Sequence, residues 1–121
     1  MKRILTVDDN KDILEILRYI LEESGYEVDT LSDGHRFFEQ IHKHMPDLIL
    51  LDVMLGDMDG RELCKMVKTM QATQNIPVIM ISATHTMSNI KQTCAPDAFL
   101  AKPFDIKALL RIIKEELNRA A

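Results

Sequence analysis

Two short runs of consecutive apolar residues constrain the fold of this chain more than any other feature. Residues 48–51 read Leu-Ile-Leu-Leu, and residues 76–81 read Ile-Pro-Val-Ile-Met-Ile. Short apolar runs of this kind are typical of strands that are buried on both faces, as in a parallel sheet covered by helices. Pro77 lies near the start of its run, where a strand tolerates a missing amide hydrogen. The runs therefore predict a parallel sheet.

Longer segments with helical periodicity alternate with these runs and with three further candidate strands. We predict strands at residues 3–7, 26–31, 48–51, 76–81 and 98–101, and helices at residues 11–24, 35–44, 61–71, 86–93 and from residue 105 onwards. Strands and helices in alternation, joined by right-handed crossovers, form a parallel sheet with helices on both faces. The predicted fold is α/β, a three-layer sandwich around a five-stranded parallel sheet.

Apolar residues at helical spacing mark the helix faces that we expect to be buried. These faces comprise Ile13, Leu14, Leu17 and Leu21 in the first helix, Leu63, Met66, Val67 and Met70 in the third, and Ile106, Leu109, Leu110, Ile113 and Leu117 in the last. Asp105 is suited to cap the last helix, and Gly25 is suited to end the first.

Composition excludes several classes of protein. The chain has 121 residues, a formal net charge of −4 and 46% hydrophobic residues, which suits one folded domain over residues 1–121. No stretch approaches the roughly 20 apolar residues of a membrane span. The apolar run near the N-terminus ends at Asp8 and is too short for a signal peptide. The acidic excess argues against a nucleic-acid surface. Cys64 and Cys94 show no metal-ligand spacing or disulfide framework, so we expect small buried residues in a cytoplasmic protein.

Side chains suited to chemistry follow four of the five predicted strands. Asp8 and Asp9 follow the first strand, Asp52 the third, Ser82 the fourth and Lys102 the fifth. Ligands of open parallel sheets bind outside the carboxyl ends of the strands, so we expect these side chains to converge at one edge. Each residue alone has a simpler interpretation, as a helix cap, a turn residue or a surface charge. Their joint placement favours a site.

Three clustered carboxylates point to metal-assisted phosphoryl chemistry. At ~4 Å each pair repels by about 1–4 kcal/mol, which a bound cation relieves. Carboxylate oxygens suit Mg²⁺, and a carboxylate beside it can attack a phosphoryl group. Lys102 and Ser82 would then contact the phosphoryl oxygens. The pattern predicts an aspartyl phosphate.

In its motifs and their spacing, the chain resembles the receiver domain of two-component response regulators along its whole length. The matching motifs are Val7-Asp8-Asp9-Asn10, residues 51–60 (Leu-Asp-Val-Met-Leu-Gly-Asp-Met-Asp-Gly), Ile81-Ser82-Ala83, and residues 99–104 (Phe-Leu-Ala-Lys-Pro-Phe). The resemblance implies a flavodoxin-like receiver fold with strand order 2-1-3-4-5.

The resemblance also implies a role for each site residue. Asp52 is the expected phosphoacceptor, and Ser82 and Lys102 contact the phosphoryl oxygens. The expected Mg²⁺ ligands are Asp9, Asp52 and the backbone carbonyl of Met54, with Asp8 supporting the water shell of the metal. Phe99 occupies the position of an aromatic switch that turns inward when Ser82 moves. The peptide bond between Lys102 and Pro103 is expected to be cis.

A receiver domain implies a signalling module rather than an enzyme that turns over an external substrate. The expected phosphoryl donor is a sensor histidine kinase or a histidine phosphotransfer protein. The expected output is a switched protein–protein surface that binds a downstream target or the output domain of a longer regulator. The domain itself is expected to be cytoplasmic, a monomer or a phosphorylation-dependent dimer, and to bind neither nucleic acid nor membrane.

Several positions depart from the common receiver pattern. Gly56 stands in place of a usual Pro, so we expect a more mobile loop after Asp52. Phe37 stands in place of a usual small Ala in the second helix, which implies local repacking. Met54 and Thr84 occupy positions that modulate phosphoryl lifetime, and a thioether cannot position an attacking water, so we expect slow autodephosphorylation. The stretch from Ser82 to Lys102 is about two residues short of the family's usual length, so the helix at 86–93 should be short, shifted or partly unwound.

Two other functions remain as alternatives. A Mg²⁺-dependent phosphohydrolase acting through Asp52 lacks the expected Asp-x-Asp pair and a substrate-binding insertion. A flavodoxin-like cofactor binder lacks a phosphate-binding loop after the first strand, where Asp8 and Asp9 would repel a phosphate. The four histidines show no ligand spacing and are expected in solvent; they are His35, His42, His44 and His85.

Overall fold

The computed structural model describes residues 1–83 and 94–120. Its strands are β1 (Arg3–Val7), β2 (Glu27–Leu31), β3 (Leu48–Asp52), β4 (Met54–Leu55), β5 (Met58–Asp59), β6 (Val78–Ser82) and β7 (Ala98–Ala101). Its helices are α1 (Lys11–Glu23), α2 (Phe37–Lys43), α3 (Gly60–Thr69) and α4 (Ile106–Ala120), with a 3₁₀ turn at Gly34–Arg36 before α2. The predicted helix at 86–93, Thr84 and His85 lie outside the described residues.

The central sheet has five parallel strands in the order β2-β1-β3-β6-β7, which confirms the predicted topology. Val7, the last residue of β1, lies opposite Leu51 of β3. Farther along the sheet, Asp52 lies opposite Ile81 of β6. This register places the carboxyl ends of β1, β3 and β6 side by side, so the residues that follow these strands share one edge.

Helices cover both faces of the sheet, so the predicted three layers are present. On one face, α2 and α3 contribute residues such as Phe37 and Val67 to a buried apolar cluster. On the other face, α1 and α4 contribute residues such as Leu17 and Ile113. In the described ranges, no helix combines the length and apolar character needed to cross a bilayer.

The prediction that Met66 and Met70 lie on the buried face of α3 is wrong. Met66 is 44% exposed and Met70 is 39% exposed. The buried side chains of α3 are instead Leu63, Cys64 and Val67, so the buried stripe is rotated toward Cys64. Met70 also follows the last helical residue, where the backbone is extended.

A similar error concerns the first turn of α4. Ile106 was predicted to face inward but is 46% exposed. Burial in α4 begins one turn later, at Leu109, and continues through Ile113 and Leu117. The cap at Asp105 is confirmed, since its carboxylate accepts a hydrogen bond from the amide of Lys107 at 3.0 Å.

A short antiparallel hairpin, β4–β5, follows the central strand and was not predicted. Met54 pairs with Asp59 and Leu55 pairs with Met58. Gly56 lies in its turn with φ +63°, a left-handed conformation that proline cannot adopt. Glycine adopts this conformation without strain, so a glycine rather than the usual proline suits this turn.

Candidate functional site

Three aspartates meet at the carboxyl edge of the sheet. Asp8 and Asp9 follow β1, and Asp52 is the last residue of β3. One carboxylate oxygen from each lies within 4.8 Å of the others, with Asp8 and Asp52 buried and Asp9 exposed. The sheet therefore brings together residues that are more than forty positions apart in the sequence.

Lys102 contacts two of these carboxylates. Its Nζ lies 2.9 Å from Oδ2 of Asp8 and 3.2 Å from Oδ2 of Asp52. The lysine follows β7, and its backbone amide donates to the carbonyl of Ser82 at 2.8 Å. The peptide bond between Lys102 and Pro103 is cis, as predicted. Three side chains from three strand ends thus form one buried ionic cluster.

The cluster carries an excess of negative charge. Burial and the nearby charge of Asp8 raise the pKa of Asp52, while Lys102 acts in the opposite direction. Burial lowers the pKa of Lys102, but its hydrogen bonds and charge interactions with Asp8 and Asp52 outweigh this and leave that pKa raised. Lys102 therefore stays protonated, and one ammonium is shared between two buried carboxylates. A bound cation would neutralise the remainder.

Backbone amides orient the three carboxylates. Each carboxylate accepts one such hydrogen bond: Asp8 from the amide of Asn10 at 2.9 Å, Asp9 from that of Gly56 at 3.3 Å, and Asp52 from that of Met54 at 3.4 Å. Two of the three donors belong to the segment that forms the β4–β5 hairpin. The position of this hairpin therefore affects the geometry of the acidic cluster.

The other predicted site residues lie on neighbouring strands. Ser82 ends β6 and is 1% exposed, next to the site. Phe99, on β7, is half-buried and packs against the apolar cluster on the α2 and α3 face. Met54 directs a 62% exposed side chain to the surface, so its backbone rather than its thioether faces Asp52.

Gly60, the last residue of the motif at residues 51–60, was not predicted to have a role of its own but supports the site directly. Its amide donates to the carbonyl of Val53 at 2.6 Å. A Cβ at this position would lie 3.0 Å from the carbonyl carbon of Asp52 and closer still to the carbonyl oxygen. Only glycine allows the start of α3 to approach the backbone of Asp52 this closely.

An apolar groove lies beside the acidic cluster. It has a volume of about 400 Å³ and lies between Ile13, Ile16 and Leu17 of α1 and the segment Lys102–Phe104. Ile16 is 58% exposed on its rim. Lys102 thus belongs to both the cluster and the groove.

Comparison with known sequences identifies relatives of this chain. The family model described as response regulator receiver domain matches residues 4–114. The alkaline phosphatase synthesis transcriptional regulatory protein PhoP of Bacillus subtilis is 36% identical over 98% of this chain and 50% of its own length. The phosphate regulon transcriptional regulatory protein PhoB of Rhizobium meliloti is 34% identical over 99% of this chain and 54% of its own length. The chain spans about half the length of these relatives.

Solved structures give the same result. A response regulator receiver domain protein described as CheY-like, from Methanospirillum hungatei, superposes with a TM-score of 0.91 at 32% identity, covering 99% of this chain and 96% of that one. The signal receiver domain of a signal transduction histidine kinase from Syntrophus aciditrophicus also reaches 0.91 at 31% identity, covering 98% of this chain and 91% of that one. The strand order, the edge cluster and these similarities agree: the chain belongs to the response regulator receiver domain family.

Proposed function

We propose that Asp52 accepts a phosphoryl group from a phosphohistidine and that the acyl phosphate switches a protein–protein surface. The observation that carries this proposal is the Asp52 carboxylate, buried at the sheet edge with a second carboxylate beside it and Lys102 Nζ at 3.2 Å. In the transfer, the bond between phosphorus and a histidine nitrogen breaks, and a bond to an Asp52 oxygen forms. The ionised carboxylate is the nucleophile.

The same cluster suits Mg²⁺. Three carboxylates with oxygens within 4.8 Å form a hard donor set of the type that Mg²⁺ takes in phosphoryl-transfer sites. We propose Asp8, Asp9, Asp52 and the backbone carbonyl of Met54 as the residues that hold it. When bound, the ion neutralises charge on the carboxylates and on the incoming phosphoryl oxygens. The excess negative charge of these three carboxylates over the single ammonium of Lys102 supports this assignment.

Lys102 and Ser82 are proposed to recognise the phosphoryl group. Lys102 already interacts with an Asp52 oxygen, so its ammonium is within reach of oxygens added to that carboxylate. Ser82 ends the neighbouring strand, and its hydroxyl is proposed to hydrogen-bond one phosphoryl oxygen. Phe99 is proposed to change position with Ser82 and transmit the event to the surface of β7.

A sensor histidine kinase or a histidine phosphotransfer protein is the proposed donor. A donor must place its phosphohistidine at Asp52 while contacting the surrounding surface. The apolar groove between α1 and Lys102–Phe104 offers such a surface, and its exposed residue Ile16 gives a test. Ile16→Lys is expected to slow transfer from the protein donor while leaving transfer from a small acyl phosphate unchanged.

The output is proposed to be a contact with a downstream protein or with an output domain of the same polypeptide. The relatives named as transcriptional regulators are about twice as long as the region they share with this chain. We propose that this domain makes no nucleic-acid or membrane contact and is a monomer or a phosphorylation-dependent dimer. We also propose that it turns over no external phosphate ester.

The test is phosphorylation by acetyl phosphate with Mg²⁺, followed by intact mass. Wild type is expected to gain one phosphoryl group, and Asp52→Asn none. Asp12→Asn, which changes an exposed carboxylate in the first turn of α1, is the matched control and should behave as wild type. Equal labelling of wild type and Asp52→Asn, or no labelling of wild type, would refute the proposal. Sustained hydrolysis of p-nitrophenyl phosphate would instead favour a phosphohydrolase.

A further inference from the structure

His35 forms a contact that links two segments beside the site. Its Nε2 lies 3.1 Å from both carboxylate oxygens of Asp57. His35 belongs to the 3₁₀ turn, and Asp57 lies in the turn of the β4–β5 hairpin. His35 was predicted to lie in solvent; its side chain is 57% exposed but is also paired with Asp57.

An apolar contact fixes the same two segments against each other. Gly34 is buried, and a Cβ at this position would lie 3.0 Å from Sδ of Met58 and 3.2 Å from Cδ1 of Leu63. The 3₁₀ turn therefore packs closely on the hairpin, with almost no space between them. Because this packing sets the distance between the segments, it holds the side chains of His35 and Asp57 within hydrogen-bond distance.

The hairpin in turn contacts the acidic cluster. Gly56, next to Asp57, donates its amide to Oδ2 of Asp9 at 3.3 Å. A movement of the hairpin turn therefore changes the orientation of an exposed carboxylate of the cluster. This gives a continuous path of contacts from His35 through Asp57 and Gly56 to Asp9.

We propose that His35 is a positioning residue for the metal site, which acts through Asp57 to hold the hairpin where the Gly56 amide orients Asp9. The inference rests on the proposed function, since it concerns the same Mg²⁺ site. Protonation of His35 strengthens the attachment of the hairpin, because a charged imidazole pairs with the Asp57 carboxylate more strongly than a neutral imidazole does.

The charged groups that face His35 favour its protonated form. The hydrogen bond to Asp57 and the charges of Asp57 and Asp33 raise the pKa of His35. Asp33 lies at the start of the same turn and accepts the His35 amide at 2.8 Å. The contribution of the His35–Asp57 pair to folding stability is complete below the unfolded pKa of histidine, about 6.5. It is lost as pH rises through the raised pKa of His35 in the folded protein.

The first experiment measures the Mg²⁺ dissociation constant by calorimetry across the range from about pH 5.5 to 8.5. His35→Gln is compared with wild type, and His42→Gln, which changes an exposed histidine of α2, is the control. Below the His35 pKa, His35→Gln is expected to bind Mg²⁺ more weakly than wild type, by at most about fivefold, which is the upper limit for an exposed pair. Above the pKa of His35, the ratio of the two Mg²⁺ dissociation constants should approach one. Comparing variants at each pH cancels proton competition for the carboxylates.

The second experiment measures the pKa of the His35 imidazole by NMR in metal-free protein. The pKa of the His35 imidazole should fall in Asp57→Asn. A constant ratio of Mg²⁺ affinities at all pH values, or no difference between His35→Gln and His42→Gln, would overturn the inference while the proposed function stands. Absence of Mg²⁺ binding by wild type at every pH would overturn both.

Discussion

Gly60→Ala tests whether the start of α3 must approach the backbone of Asp52. The new Cβ would lie 3.0 Å from the carbonyl carbon of Asp52, 3.2 Å from Cα of Val53 and closer still to the Asp52 carbonyl oxygen. All three neighbours are backbone atoms, so no side-chain rotation relieves the contact. The first turn of α3 and the end of β3 must therefore separate.

Two opposing terms decide the effect of this substitution on stability. Alanine favours the helical conformation over glycine by about 1 kcal/mol. Overpacking against backbone costs about 3 kcal/mol, the upper part of the usual range. The free energy of unfolding is therefore expected to fall by about 2 kcal/mol. A displacement on the order of 1 Å at Asp52 is expected to slow phosphorylation by about a hundredfold.

The assay pairs urea unfolding with the rate of phosphorylation by acetyl phosphate. Gly25→Ala is the matched control, because Gly25 has φ +94° but no neighbouring atom within 4 Å of an added Cβ. It should lose about 1–2 kcal/mol through backbone strain alone and phosphorylate at the wild-type rate. If Gly60→Ala were as stable as wild type, or phosphorylated as fast as Gly25→Ala, the reasoning would be refuted.

Two further predictions concern the core and the acidic cluster. Phe37→Ala should lower the free energy of unfolding by about 3–5 kcal/mol, because the ring is fully buried. The loss should be clearly larger than that in Phe38→Ala, at a half-buried position, and equal losses in urea unfolding would contradict this prediction. In metal-free protein, burial and the charge of Asp8 raise the folded pKa of Asp52, so the stability of wild type falls as pH rises from about 3.9 through that value. Asp52→Asn should therefore be more stable than wild type at pH 7, and the difference in stability should close below about pH 3.9. A more stable wild type at pH 7 would contradict this and show that Lys102 fully offsets the effects of burial and of the Asp8 charge on Asp52.

The parallel sheet and its helix layers could be predicted because their signals are local, whereas the strand order was implied by the resemblance to receiver domains. The apolar run at residues 48–51 became β3, every residue of which is buried. Strand ends are also local features, and a parallel sheet places all its carboxyl ends at one edge. The acidic residues that follow β1 and β3 were therefore expected near each other before any contact was known.

Helix faces were only partly predictable. Periodicity identified Leu63 and Val67 correctly but assigned Met66 to the same face. A helical pattern defines an apolar arc, whereas the contact with the sheet selects which part of that arc is buried. Cys64, on the other side of the arc, occupies the place that Met66 was expected to take.

The sequence by itself determined the five strands of the parallel sheet, the three layers and the edge at which Asp8, Asp9 and Asp52 would meet. Only the tertiary structure decided the pairings: Lys102 with Asp8 and with Asp52, 94 and 50 positions away, and His35 with Asp57, 22 positions away. The difference has a physical reason. Periodicity and turn signals arise from neighbours along the chain, whereas these hydrogen bonds depend on distances that packing sets after the chain has folded.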